Sequence, residues 1–512
     1  MGLTNEYKHT IFFSDLTEQR EFFEGKVTKT FTDYAYARKN WELKVGASFA
    51  TASSWSYLFF KNPNDAKTYY YFINDVQYIS DNTVKLVIEL DVMQTYMFDY
   101  NLSGCFVERE HTATDQIGDN TVEEDLELGQ LVNNTYNEVP ITTSLCIMVM
   151  STVDIRQSNF PNVRGSMCDG IFTGCDIYAI PAVNADVLVN RLNALDTAGK
   201  SDAIVTIWVY PHPLVEYEDG DFSIKRVTGI KPEGIMQAVN VPTMLDGYTP
   251  KNNKLFTYPF SYLYASNNSG NSAIYRYERF TNTPYFQVRG SIYPDGGALL
   301  VPMEYNGSSQ NYDEGFSLGA FPTCSWNADA YKIWLAQNQS QHKLAQTSGV
   351  VTAGLGAVTA IAGLATGNLG TMAGGIGGAT GGIYSIASLM AQKNDMERTP
   401  AQARGGTSAT LLTCNGQMTF SFYTKSVTAE RAHMIDDYFT LYGYAVKNVK
   451  VPNRNVRQSF TYTKTVGCHI SGNICTADKV KIEKIYDNGI TFWNKNVTVG
   501  NYNATNKPKS EV

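Results

Sequence analysis

The apolar positions of this chain follow two periods, and each predicts an element. Val84, Leu86, Ile88, Leu90 and Val92 alternate with Lys85, Glu89 and Asp91, the mark of a strand with one wet face. Met418, Phe420 and Phe422 alternate in the same way with Thr419 and Ser421. Further strands are predicted over 145–150, 177–180, 203–210, 460–466 and 490–493. Ser14 or Asp15 is placed to cap a helix running to about Glu24 and ended by Gly25, with Leu16, Phe22 and Phe23 supplying its contacts. Other helices are predicted over about 185–195, along the face Ile435, Tyr438, Phe439 and Tyr442 up to Gly443, and from about Thr476 to the stop at Asp487-Asn488-Gly489. Asn327 is positioned to cap one more, carrying Tyr331, Trp334 and Leu335.

One stretch obeys neither period. Residues 344–392 contain no charge and are built mainly of Gly, Ala, Thr, Ile, Val and Leu. Two arms, 350–366 and 371–390, flank the break Gly367-Asn368-Leu369-Gly370, and each approaches the roughly 20 apolar residues that cross a bilayer as helix. Each glycine inside a helix costs about 1 kcal/mol relative to alanine, so insertion is expected to be conditional. Gly370, Gly374, Gly378 and Gly382 recur every four residues, a small-residue face suited to close helix association in lipid. Val350, Leu355, Val358, Ile361 and Leu364 in the first arm, with Ile376, Ile383, Ile386 and Leu389 in the second, are the candidate membrane-active side chains. The alternative is a glycine-rich loop packed on its own protein or disordered. Polar residues 337–343 and charged residues 393–398 flank the run like a stem.

Composition narrows the class. A chain of 512 residues implies three or four domains, and 33 Tyr with 25 Phe favour strands over helix bundles. The expected fold class is α+β, mainly β and multi-domain, with antiparallel sheets, covering helices and one long Gly/Ala-rich hydrophobic hairpin. A net charge of -8 argues against a basic surface that wraps nucleic acid. Eight scattered cysteines in so long a chain suggest free thiols in a reducing cytoplasm. The start MGLTNEYKHT shows no secretory signal, and Glu6 stands where myristoylation expects Ser or Thr. The acidic residues Glu123, Glu124, Asp125 and Glu127 are expected in a surface loop at a domain boundary.

The candidate chemistry is thin. Residues 194–201 (ALDTAGKS) fit a loose phosphate-loop pattern with Lys200 as its lysine, but they close a helix and precede a strand. Gly199 as a helix C-cap explains them better. Cys468, His469 and Cys475, or Cys168 and Cys175, are spaced too widely for a structural zinc site and are expected as small buried hydrophobes. Glu216, Glu218, Asp219 and Asp221 offer carboxylates for glycan cleavage or calcium, yet surround a turn at Gly220. Glu108-Arg109-Glu110-His111 holds an acid and a base with no nucleophile signature. No enzyme, cofactor or metal is implied.

Three stretches together resemble one family: 88–99 (IELDVMQTYMFD) with 106–111 (FVEREH), 451–472 (VPNRNVRQSFTYTKTVGCHISG), and 485–502 (IYDNGITFWNKNVTVGNY). They look like the distal tail tube, or tail knob, proteins of picovirus-type short-tailed bacteriophages. The resemblance is collinear and covers both ends of the chain, while about 136–323 matches weakly. It implies a tube domain split between 1–135 and 406–512, a middle α+β region at 136–326, and a stem with membrane-active loop at 327–405. It further implies a hexamer at the virion tail tip that is made in the host cytoplasm, contacts upper tail tube proteins and lets DNA pass unbound. The loops of six chains would plug the channel, then enter the host cytoplasmic membrane as a pore. A pore-forming toxin or a tail-associated glycan hydrolase are the alternatives.

Overall fold

The computed structural model describes most of residues 2–320, together with 323–325, 402–404 and 419–509. Antiparallel sheets dominate, as expected, and the chain divides into two compact units. The first comprises Met1–Leu131, Thr243–Phe260 and Val427–Val512; the second comprises Val132–Pro242 and Ser261–Ser426. Residues 243–260 thus belong with the two chain ends, and the strand Thr419–Val427 falls almost wholly in the second unit.

The first unit contains a seven-stranded and a five-stranded sheet. In the larger one, Thr68–Ser80 and Thr83–Leu90 form a hairpin between Tyr57–Lys61 and Glu42–Val45. Val84, Leu86, Ile88 and Leu90 are buried, as the alternation predicts. Val92 departs from the expectation: the strand ends at Leu90, and Val92 opens the short helix Val92–Tyr96. Asp91 causes the switch, because its carboxylate accepts the Met93 and Gln94 amides, both at 3.0 Å.

The smaller sheet has the order Ile11–Phe12, Ile490–Asn494, Phe460–Val466, Cys105–Glu110 and Tyr444–Lys450. An N-terminal strand therefore lies between two strands from the far end of the chain. The helix Thr476–Asn488 buries Ile482 and Tyr486 in the same core as Leu86, Ile88 and Phe492. The helix Leu16–Glu24 is capped by Asp15, which accepts the Glu18 amide at 2.8 Å, and is followed by Gly25. Its Phe23 is fully buried against Phe13, Tyr57 and Tyr70. Leu16 is 60% exposed, contrary to expectation, because the buried side of the helix is the one that carries Gln19 and Phe23.

In the second unit, Leu145–Ser151 pairs with Asp176–Pro181 and Ile204–Pro211 at the centre of a seven-stranded sheet. The helix Ala185–Thr197 covers it through Leu188, Leu192 and Leu195. At one edge, Thr323–Ser325 pairs antiparallel with Gln402–Arg404, Cys324 facing Ala403. The expected Asn327 cap and the whole 344–392 run fall between these strands, outside the described residues.

Phe23→Ala removes a buried ring and is expected to cost about 3–5 kcal/mol. Leu16→Ala is expected to stay within about 0.5 kcal/mol. Urea titration of both variants checks the contrast.

Candidate functional site

The stretch Phe106–His111 is a structural junction. Its strand is bulged between Val107 and Arg109 on both flanks, and the residues after the bulge turn charged groups inward. Glu110 is fully buried; its carboxylate accepts the Asn453 amide at 3.0 Å and the Asn453 side chain at 2.9 Å, and pairs with Lys450. His111 is buried as well. Its Nδ1 accepts the Tyr462 amide at 2.7 Å, so Nε2, 3.1 Å from the Thr440 carbonyl, carries the proton and donates. Burial, reinforced by the nearby Arg457 cation, pushes its pKa down to about 3. This histidine is a neutral strut, and neither ring nitrogen is open for acid–base work.

Arg109 reaches across to the opposite end of the chain. One guanidinium nitrogen donates to the Gly443 carbonyl at 2.7 Å, another pairs with Glu124, and the plane lies 4.5 Å from the Tyr438 ring. Glu124 also accepts from Lys254 at 2.6 Å and from the Ala445 amide at 2.8 Å. The Glu124 and Lys254 side chains are each 2% exposed. Burial pulls the Lys254 pKa below its ordinary value, with Glu124 acting against that pull. Glu124 was expected on a surface loop with Glu123, Asp125 and Glu127. The other three are exposed, but Glu124 turns inward to two cations that would otherwise be buried without an anion.

Asp436 does the same for residues 243–260. Fully buried on the helix Ala429–Tyr442, it accepts from the Tyr248 hydroxyl and the Lys251 amide at 2.7 Å, and from the Asn252 amide at 3.0 Å. Gly443, which follows that helix, has φ +64, and a Cβ there would stand 2.2 Å from the Glu110 carbonyl oxygen. Glycine is required both by conformation and by space.

The remaining candidates are accounted for structurally. Gly199 (φ +70) follows the helix Ala185–Thr197, and Lys200 donates to the Phe160 carbonyl at 2.7 Å. Glu218 pairs with Arg156 and Arg226, which also hold Asp154 and Asp176; Glu216 is exposed, and Asp219 and Asp221 lie outside the described residues. Cys105, Cys146 and Cys468 are buried free thiols, Cys168 is buried, and Cys475 is exposed, contrary to its expected burial, on the turn that opens the helix Thr476–Asn488. Among the described residues no cluster of His, Cys, Asp and Glu could hold a metal ion, and no helix is long and apolar enough to cross a membrane. Every loop position named above, from Val350 to Leu389, lies outside the described residues. Sequence reasoning missed Lys254 and Asp436 altogether; a lysine directly before Leu255-Phe256 and an aspartate directly after Met434-Ile435 were the available signals.

Glu124→Ala leaves Arg109 and Lys254 without their anion and is expected to cost about 3–5 kcal/mol. Glu127→Ala, at a side chain 88% exposed, is expected to cost under about 0.5 kcal/mol. Chemical denaturation separates the two. For His111, the unfolded chain takes up a proton below pH 6.5 and the folded chain does not until about 3. Its contribution to stability therefore falls as pH drops through that window. The stability gap between wild type and His111→Gln is expected to narrow from pH 7 to pH 4, by at most about 1.4 kcal/mol per pH unit.

Comparison with known proteins places these features in one family. Residues 225–507, more than half of the chain, match the model of the C-terminal domain of the Bacillus phage phi29 tail knob protein gp9. Residues 1–101 match the N-terminus of the caudoviral major tail protein. The tail knob proteins gp9 of Bacillus phages phi29 and PZA are each 24% identical, with 98% of this chain and 96% of the relative covered. The solved tail knob protein gp12 of bacteriophage C1, 13% identical, shares the fold at a TM-score of 0.65 over 98% of this chain and 97% of that one. The chain belongs to the gp9 tail knob family, and it is a structural protein of the tail of a short-tailed phage.

Proposed function

We propose that this tail protein is a non-enzymatic conduit with a stored membrane-active plug. Six copies form a tube at the virion tail tip, beneath upper tail tube proteins. The 344–392 loops close the channel, and on infection they pass into the host cytoplasmic membrane and open a pore for DNA. The wall is formed by 1–135 and 406–512, the loop with its stem by 327–405, and 136–326 is a middle region.

The observation that carries this reading is a pair of strands on either side, in sequence, of the segment that contains the uncharged run. Thr323–Ser325 and Gln402–Arg404 lie side by side, so the chain leaves for residues 326–401 and returns from them at one place. A segment with both ends anchored together can be extruded and withdrawn without disturbing its sheet. Its glycines make it a poor permanent span, and its apolar surface requires burial against other copies until lipid offers an alternative. A net charge of -8 suits a channel through which DNA slides without sticking.

A charge at the centre of an inserted helix costs about 2.5–3.5 kcal/mol. Gly378→Asp and Ile386→Lys are therefore expected to assemble normally but release dye from liposomes at least roughly tenfold more slowly. Leakage equal to that of the unaltered protein would overturn the membrane role.

A further inference from the structure

One face of the five-stranded sheet carries an apolar strip that the described residues leave open. Phe106 is in register with Val449 on one neighbouring strand and with Val466 on the other, so the three side chains stand abreast on one face. They are 39%, 68% and 55% exposed. The alternating residues Cys105, Val107 and Thr465 are buried, so the core side of the sheet is filled and the open row belongs to the surface. Lysines rim it. Lys447 lies on the edge strand Tyr444–Lys450, which carries no acid of its own, and Lys464 lies on Phe460–Val466; Lys450, in register with Cys105, belongs to the core side. Lys447 pairs with Asp125 and Lys464 with Glu108.

A complementary feature stands in the other sheet of the same unit. The strand Thr68–Ser80 outruns Tyr57–Lys61, which pairs with it only from Thr68 to Phe72. Among the described residues, only Thr83–Leu90 accompanies the rest of it to the hairpin tip. Tyr78 and Ile79, where the pairing register shifts between Tyr78 and Ser80, are 59% and 44% exposed there. Asp75 and Asp81 accept hydrogen bonds from neutral groups, the Gln77 amide and the Tyr78 hydroxyl. No Lys or Arg occurs from Thr68 to Val84. The tip is an apolar knuckle with an acidic rim.

Both features are open among the described residues, so neither covers the other. We infer that the hairpin tip of one copy, through Tyr78 and Ile79, docks on the Phe106, Val449 and Val466 strip of a second copy. The apolar side chains supply the burial, and Asp75 and Asp81 meeting Lys447 and Lys464 set the orientation. Each copy offers both halves. The contact is therefore head-to-tail, and its repetition closes a ring when the rotation permits. This inference rests on the ring reading above and adds to it the surfaces that join neighbours.

The test is a double variant of the full-length protein, Ile79→Cys with Val449→Cys, oxidised by a small-molecule disulfide. The two protein thiols join, and the reagent is reduced to two small thiols. The expected result on a non-reducing gel is a ladder of linked chains ending at the ring size, absent from both single variants and from the unaltered protein. Particle mass is measured in parallel. Ring-sized particles without the ladder would overturn this interface and leave the ring standing, whereas monomeric unaltered protein would overturn both. Val449→Asp, at an exposed position, is expected to raise the concentration for half-assembly at least tenfold with an unchanged melting temperature; unaltered assembly would count against the strip.

Discussion

Two buried cations need one buried anion, and the first unit depends on that requirement being met. Arg109 comes from an N-terminal strand and Lys254 from the 243–260 excursion, while the backbone amide of Ala445 comes from a C-terminal strand. Glu124 binds all three. A buried pair contributes little net stability compared with apolar residues of similar volume, but breaking one is costly. The consequence here is specificity: three chain segments distant in sequence have one arrangement in which no charge is left alone. Asp436 and Asn252 extend the same logic beside the helix Ala429–Tyr442.

That interleaving explains why both chain ends carry the family signature. Cys105–Glu110 pairs with strands of residues 444–450 and 460–466, so the sheet cannot form until nearly all of the chain has been made. Residues 132–242 and 261–426 make up the second unit, and in sequence they interrupt the first. Residues 326–401, which contain the uncharged run, lie in sequence between the paired strands Thr323–Ser325 and Gln402–Arg404.

Much of this was legible in the sequence. The period-two run Val84 to Leu90 and the helix ended by Gly443 appeared where expected, since each depends on local periodicity and a capping residue. The misreadings have separate causes. Val92 continues the alternation, but the Asp91 carboxylate captures two amides and starts a helix. Leu16 has the right residue type, yet lies off the buried side of its helix, which carries Gln19 and Phe23. Glu124 looks like its acidic neighbours, and only partners 15 and 130 residues away distinguish it. Long-range pairing of charges leaves no periodic trace, so the candidate site was less legible than the strands that position it.

The central claim is that a tail structural protein stores a plug and releases it into lipid. Electron microscopy of the purified full-length protein, free and after incubation with lipid vesicles, tests it most directly. The account predicts a sixfold tube with density blocking the channel in the free particle, and an open channel with protein density crossing the bilayer in the vesicle-bound one. An unobstructed channel in the free particle, or blocking density unchanged on vesicles, would contradict it.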